Sequence, residues 1–342
     1  MPITRSYGNA FEVVDYTQEL AIIPNSWTLL NDVGLFGEEF LSTHTVTYEE
    51  SNKTLGLIAD QYRGAKPQAN KDDNRKIRSY PIAHWPTVDE ILPQDVQGKR
   101  AYGSTDMAET EAAVLARKME RIRRNYDITV EVGRFSLLTT GNLYSPSGTI
   151  SGNIFSDFGI TQTTVDFALG TATTDVIGKV ETVIASIQDN AQNGDVITNV
   201  VAYCSPEWFA KFISHAKITT AYQYFAATEG QMINRNRAGG NNGLYREFSY
   251  GGIRFIEVRT VLAGQRLIPA GDVVFVPLGT SNVFTSFFGP ANKMDFVNTV
   301  AERQYLWTYR SPKGEGIDID AEMNVTHLVT RPALVIRGYS SN

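Results

Sequence analysis

The chain has 342 residues, with 31 basic against 37 acidic side chains, a net charge of −6 and 42% apolar content. That length and apolar fraction allow two or three domains with real cores, and the negative balance disfavours non-specific attraction to nucleic acid. A single cysteine, Cys204, excludes an intramolecular disulfide framework and any paired-cysteine metal or redox motif.

The opening MPITRSYGNAFEVVDY lacks a basic start followed by an apolar run, so no signal peptide is expected. No apolar stretch approaches the ~20 residues of a membrane span. A soluble protein made in the cytoplasm, with no membrane partner, is the expectation. Residues 1–45 alternate short apolar clusters (FEVVDY, LAIIPNSWTLL, VGLFGEEFL) with polar breaks. No continuous core pattern emerges, which predicts an arm that packs on something else. In residues 46–103, TVTYEESNKTLGLIAD reads as a strand, a turn and a second strand. The following RGAKPQANKDDNRKIRSYPIAHWPTVDEI, with Pro67, Pro81 and Pro86, reads as a long excursion with weak internal structure. Tyr80, Ile82 and Trp85 give its far end apolar groups with which to dock.

A long charged helix is predicted from about Ser104 to Gly141. Ala108, Ala112, Leu115, Met119, Ile122, Tyr126 and Val130 recur at spacings of three and four, a stripe along one helix face. Asp106 and Glu109 have capping-box spacing. Acids crowd the start and Arg117, Lys118, Arg121, Arg123 and Arg124 follow, an order that suits the helix dipole. A helix of about 35 residues would run about 50 Å, a beam suited to an extended, assembling protein.

After it, Asn142–Phe167 reads as strands and turns. Asp175–Gln192 predicts an amphipathic helix with Val176, Val180, Val183, Ile184 and Ile187 on one side. Val196–Tyr203 reads as a buried strand, and Ser205-Pro206 opens a helix EWFAKFISHA with Ser as cap and Pro at the first helical position. Cys204, between the two, reads as an inert buried thiol. Ala238–Gly243 reads as a loop tip. The remainder reads as strands: LYREFSY, GIRFIEVR, DVVFVPLG, VFTSFFG, RQYLWTYRS, GIDIDAEMN, HLVTRP and ALVIRG. No internal repeat is visible.

No catalytic, cofactor-binding or metal-binding constellation is predicted. His44, His84, His215 and His327 are scattered without ligand spacing, and no nucleophile elbow, phosphate loop or dinucleotide fingerprint occurs. Asp318, Asp320 and Glu322 alternate along GIDIDAEM, so a strand would place them on one face. Such close like charges point to basic groups opposite, on this or a neighbouring subunit. Lys66, Lys71, Arg75, Lys76 and Arg78 form a basic cluster with Tyr80 and Trp85 nearby. Its readings are nucleic-acid contact or pairing with acids of a partner. Arg117, Lys118, Arg121 and Arg124 read as a solvated face or as intersubunit ion pairs ahead of a nucleic-acid contact. The candidates for subunit contact are therefore Lys66, Arg75, Arg78, Tyr80, Trp85, Arg117, Arg121, Arg124, Asp318, Asp320 and Glu322.

Arm, long loop, long helix and a mixed body with closing strands is an order that resembles the major capsid proteins of tailed bacteriophages, in particular the lambda-type head protein (capsid E) family. The likeness is carried by DMAETEAAVLARKMERIRRNYDI, NVVAYCSPEWFAKFISHAKITTAY, GGIRFIEVR and RSPKGEGIDIDAEMNVTHLVTRPALVIRG. It implies an α+β, Hong Kong 97-type capsid fold: N-terminal arm 1–45, extended loop 46–103, peripheral domain with spine helix 104–174, axial domain 175–294 and peripheral return strands 295–342. It also implies a non-enzymatic subunit without cofactors that forms hexamers and pentamers of an icosahedral head. Implied partners are portal, scaffold or protease and decoration proteins, and packaged double-stranded DNA by weak non-specific contact. The implied location is the virion, after assembly in the host bacterial cytoplasm. A nanocompartment shell of the same fold is the alternative. From another class, so is an α+β enzyme with a fold-assembled site.

Overall fold

A computed structural model describes residues 29–51, 75–99, 110–144, 150–191, 197–225, 233–234, 246–262, 265–280, 282–311 and 314–342. The first part contributes α1 (Leu29–Val33), β1 (Gly37–Phe40), β2 (Thr45–Ser51), β3 (Arg75–Pro81), β4 (Ala83–Ile91), α2 (Pro93–Val96) and the long α3 (Glu111–Thr140). Then come β5 (Asn142–Tyr144), β6 (Ile150–Asn153), α4 (Ile154–Asp157), β7 (Thr164–Asp166), α5 (Val176–Asn190), β8 (Asn199–Cys204), α6 (Pro206–Ser214) and α7 (Ala216–Phe225). Strands dominate the rest: β9 (Ile233–Asn234), β10 (Glu247–Tyr250), β11 (Ile253–Glu257), β12 (Val261–Leu262), β13 (Gln265–Arg266), β14 (Asp272–Leu278), β15 (Phe284–Phe288), β16 (Tyr305–Arg310), β17 (Ile317–Val329) and β18 (Ile336–Tyr339).

A five-stranded sheet is organised around β17. Its first half pairs antiparallel with β4 on one edge and β16 on the other, Asp320 lying opposite both Val88 and Trp307. Its second half pairs with β15, which takes β1 in parallel along its far edge. GIDIDAEMN and HLVTRP are expected as two strands parted after Asn324, whereas the structure has one strand of 13 residues, Ile317–Val329. A buried asparagine is tolerated there because its polar atoms are satisfied: Nδ2 donates to the Pro290 carbonyl (2.8 Å) and to Glu322 (2.6 Å), and Oδ1 meets His84 (2.7 Å).

The second sheet runs β7-β18-β14-β8-β11-β10-β9. α5 contributes its Val176, Val180, Val183 and Ile187 face to the main core, as the spacing predicts. Ser205 caps α6 by accepting from the Trp208 amide, with Pro206 at the first helical position. α6 stops at Ser214 rather than running through Ala216. His215 leaves helical backbone, donates its amide to the Phe212 carbonyl, and sets its ring against the Thr171 carbonyl. Trp208 stacks on Phe212 and Phe255 at the centre of this core, and Phe275 meets Phe255 edge-on.

α3 spans 30 residues, about 45 Å at 1.5 Å per residue. Its cap is Thr110, whose hydroxyl accepts from the Ala113 amide, and not Asp106. Asp106, Ala108 and Glu109 lie outside the described residues. It ends on Gly141 in left-handed backbone (φ 73°), the Gly141 amide closing on the Leu137 carbonyl. Ile122, Tyr126 and Val130 of the expected stripe are buried, but Ala112 is exposed, Leu115 and Met119 are half-buried, and Val114 is buried instead. In its first half α3 lies over β4 and β17, so a narrow apolar line suffices. Beyond Val130 it is enclosed: α1 meets Glu131, β1 meets Arg134, and Phe135 packs edge-on against Tyr203 of β8.

Two further expectations change. Residues 29–40, read as part of an arm, are built into the body, with Leu29 and Leu30 fully buried and β1 paired to β15. Ala83–Ile91, read as part of an excursion, is a nine-residue strand. Pro86 hid it, yet β4 pairs only with β17 among the described strands, and an edge strand tolerates a proline. The first strand of the expected hairpin, β2, pairs with β3 through Thr45↔Pro81 to Ser51↔Arg75. Residues 52–74 and the 238–243 loop tip lie outside the described residues.

Candidate assembly surfaces and the buried network beneath them

The helix and sheet divide their charged residues between two outward faces. Ile319, Ala321 and Met323 of β17 point toward α3 and form a core with Ile122, Tyr126 and Val130. Alternation therefore sends Asp318, Asp320 and Glu322 to the opposite face. Their ladder neighbours share that face: Glu90 and Val88 on β4, Tyr309 and Trp307 on β16. Val88 is 70% exposed there and Tyr309 46%.

The expected acidic trio is only partly free. Asp320 lies 3.6 Å from Lys293, whose ammonium also sits over the Trp307 ring at 3.7 Å. Glu322 is buried: it accepts from the Asn292 amide (2.8 Å) and lies 3.3 Å from His84. The strand crowds Glu322 between two neighbours, so its partners come from its own chain. Asp318, half-buried, stands between Glu90 and Tyr309.

The basic candidates are similarly engaged. Arg121 reaches Asp89 at 2.5 Å and Lys118 reaches the same carboxylate at 3.0 Å, tying α3 to β4. Burial raises the Asp89 pKa, but hydrogen bonds from Lys118, the Glu90 amide and Arg121 outweigh it and hold the group below its ordinary value. Arg124 pairs with Glu120 one turn earlier, and Arg117 is exposed. Arg78 donates to the Asp157 carbonyl and lies over the Phe158 ring (4.6 Å), fastening the β2–β3 ribbon to α4. Tyr80 is buried in the main core. Trp85 packs edge-on against Tyr144 (6.2 Å), and its carbonyl accepts from the Tyr126 hydroxyl. Arg75 lies at the far end of β3, opposite Ser51. Lys66 lies outside the described residues.

Beneath these faces is a buried polar network that the sequence reading missed. Arg134, fully buried on α3, donates to Ser286 of β15 (3.1 Å), to Asn31 of α1 (3.3 Å) and to Glu38 of β1 (3.1 Å). Its guanidinium also lies over the Phe36 ring (5.2 Å). Glu38 is held in addition by Arg303, which reaches Asp127 as well. Ser286 bonds Nδ1 of His327, a buried ring whose pKa is pushed well down by burial and by the Arg134 charge. Glu131, also fully buried, accepts the Leu30 amide at 2.7 Å. Burial pushes its pKa up to about 7, against the Leu30 hydrogen bond and the Arg134 charge. A signal was present: Arg134 continues the Ile122-Tyr126-Val130 stripe at the next spacing of four, a charge placed on an apolar line.

This arrangement is a frame with charged and aromatic outer faces. Cys204 is a buried free thiol whose pKa burial raises, and no helix among the described residues is long and apolar enough to cross a membrane. Residues 12–340 match the pattern of the family described as phage major capsid protein E. The chain is 40% identical to a major capsid protein of Pseudomonas phage KPP10 over 97% of this chain and 98% of that one. It is 26% identical to a major capsid protein of Salmonella phage Felix O1, over 98% and 97%. Among solved structures, the capsid of cyanophage P-SCSP1u superposes with a TM-score of 0.54 at 10% identity, covering 97% of this chain and 93% of that one. The capsid of the myovirus XM1 gives 0.53 at 8% identity, over 92% and 91%. At such identities the likeness speaks for the fold, the α+β Hong Kong 97-type capsid architecture.

Proposed function

The chain belongs to the phage major capsid protein E family, and from that premise we propose that its copies close an icosahedral head as hexamers and pentamers around double-stranded DNA. The observation that carries this reading is the full-length match to phage major capsid proteins on a capsid fold. The alternative of a nanocompartment shell draws no support from these relatives, which are phage proteins. Members of this family are structural shell proteins, and the protein's place is the virion. Assembly takes place in the host cytoplasm, and portal, scaffold or protease and decoration proteins are its proposed partners there.

A closed shell needs contact area on several sides of each subunit, more than the ~1,600 Å² of a standard interface. The division of surfaces supplies it. The outward sheet face, with Val88, Tyr309, Asp318 and Asp320, offers aromatic and acidic groups. The outward face of α3, with Arg117, Arg121 and Arg124, offers basic ones, and the β2–β3 ribbon carries Arg75 and leads into the segment containing Lys66. Arg78, Tyr80, Trp85 and Glu322 hold the subunit's own fold and serve the contacts indirectly. Exposed ion pairs contribute only ~0–1 kcal/mol each, so the apolar groups on these faces supply most of the association energy. Contact with DNA is weak and non-specific, in keeping with the net charge of −6.

Negative-stain electron microscopy of the chain expressed alone, and together with the other head proteins, tests the reading. Closed shells, tubes or capsomer rings are expected in at least one condition. A uniform monomer in both would refute it.

A further inference from the structure

The Glu131 carboxyl is the one acidic side chain of α3 that faces neither solvent nor a cation at bonding distance among the described residues. One oxygen holds the Leu30 amide at 2.7 Å; the other, fully buried, makes no hydrogen bond among the described residues. The group therefore sits at the joint between α3 and the α1–β1 segment, the part of the body through which the chain enters from its amino-terminal side. The other polar links across that joint are the Asn31 amide to Glu131, Arg134 to Asn31 and to Glu38, and Arg303, which bridges Glu38 and Asp127.

We propose that Glu131 is a protonation-controlled catch: the neutral acid lets the α1–β1 segment close onto α3, and ionisation loosens it. The physical reason is the cost of placing an uncompensated carboxylate in an enclosed site. A neutral carboxyl still accepts the Leu30 amide through its carbonyl oxygen and carries no charge to desolvate. An ionised one keeps that hydrogen bond but leaves its second oxygen charged and dry, and detaching the segment admits water to it.

The surrounding charges decide the direction. Arg134 on α3 favours the ionised form but is itself shared with Glu38 of β1, and burial pulls its own pKa down. Asp32 of α1 disfavours ionisation of Glu131. Asp127, one turn earlier on α3, is raised by burial and neutralised by Arg303. His327 of β17, held neutral by burial, brings no second cation. Burial thus prevails, and the carboxyl titrates near neutrality, at about 7, where a shift of one pH unit changes its charge.

The sign follows from linkage. The closed form binds the proton more tightly than the open form, in which the acid regains its ordinary value of 4.5. Closure is therefore fully favoured below that value and is lost as pH rises through about 7. From pH 6 to pH 8.5 the opening equilibrium of residues 29–40 should increase about 10-fold, the ratio expected for a group titrating at about 7 in the closed form and at 4.5 in the open one.

Hydrogen exchange of the full-length chain, read by mass spectrometry at pH 6 and pH 8.5 and corrected for intrinsic exchange, tests this. Peptides over residues 29–40 should lose about 10-fold in protection. Glu131→Gln, a permanent mimic of the neutral acid, should abolish the loss. Unchanged protection of 29–40 in the native chain overturns the proposal, as does an equal loss in the Gln variant. Should Glu131→Gln not fold, Glu131→Leu, which also removes the charge, takes its place, and an equal loss in it overturns the proposal.

Discussion

Replacing Arg134 with methionine should cost roughly 2–3 kcal/mol of subunit stability. Methionine keeps much of the apolar stem, so the perturbation is mainly the loss of the guanidinium. Three hydrogen bonds disappear, to Ser286, Asn31 and Glu38, together with the stacking on Phe36. The charge-assisted bond to Glu38 is worth about 1.5–3 kcal/mol and each of the others about 1 kcal/mol. Two features reduce the total. Asn31 is exposed and rehydrates, and Glu38 keeps Arg303 as a counter-charge. Removing a buried cation also relieves its own desolvation, which lowers the Arg134 pKa. The assay is equilibrium urea unfolding of the unassembled subunit followed by tryptophan fluorescence. Arg134→Lys, which keeps charge but not the fork, should fall between the two. A loss below about 1 kcal/mol for the methionine variant would refute the argument that this guanidinium clamps α1, β1 and β15 onto α3.

Glu131→Gln should change the pH profile of stability. In the native chain the raised Glu131 pKa contributes stability below about 4.5 that is lost as pH rises through about 7, a difference of roughly 3 kcal/mol; the variant should show no such fall in urea midpoints between pH 5 and pH 8. The depressed His327 works the opposite way: its contribution is complete above its ordinary value of 6.5 and is lost on acidification. In Glu131→Gln, stability should thus only rise with pH over that window, and a residual decline toward pH 8 would contradict the assignment. Gly133→Ala puts a methyl about 2.9–3.0 Å from the His327 ring and should cost roughly 1–3 kcal/mol in thermal or urea unfolding. Ile122→Asp places a charge in the α3–β17 core and should prevent recovery of soluble folded subunit; shells from this variant would show the core assignment wrong. Arg121→Ala, by contrast, should lower unfolding midpoints by less than about 1 kcal/mol, because the side chain is 64% exposed and Lys118 still holds Asp89.

Where local chemistry sufficed, the residues announced the structure. The Ser205-Pro206 start of α6, the apolar face of α5 and the Ile122-Tyr126-Val130 stripe are short-range signals, each set by a cap, a ring constraint or a period of three to four. Segment order along the whole chain was enough to point to a capsid fold before any contact was known. Asp318, Asp320 and Glu322 were correctly expected to alternate along one strand; their different environments were not legible. That difference comes from Lys293 and His84, respectively 27 and 238 residues away from their partners Asp320 and Glu322 in the chain. The same holds for β4, where Pro86 argues against a strand until β17 supplies a single-sided partner.

The sequence by itself determined the helices α5 and α6, most of the length of α3, the main run of strands and the family, because helix periods, caps and the order of segments are encoded within a few residues of one another. Only the tertiary structure decided which charges are sealed inside. Arg134 and Glu131 look like ordinary members of a charged helix, and they become a buried clamp and catch because α1, β1 and β15 close over the last turns of α3. Burial is a property of what the rest of the chain brings to a residue, and no local pattern carries it.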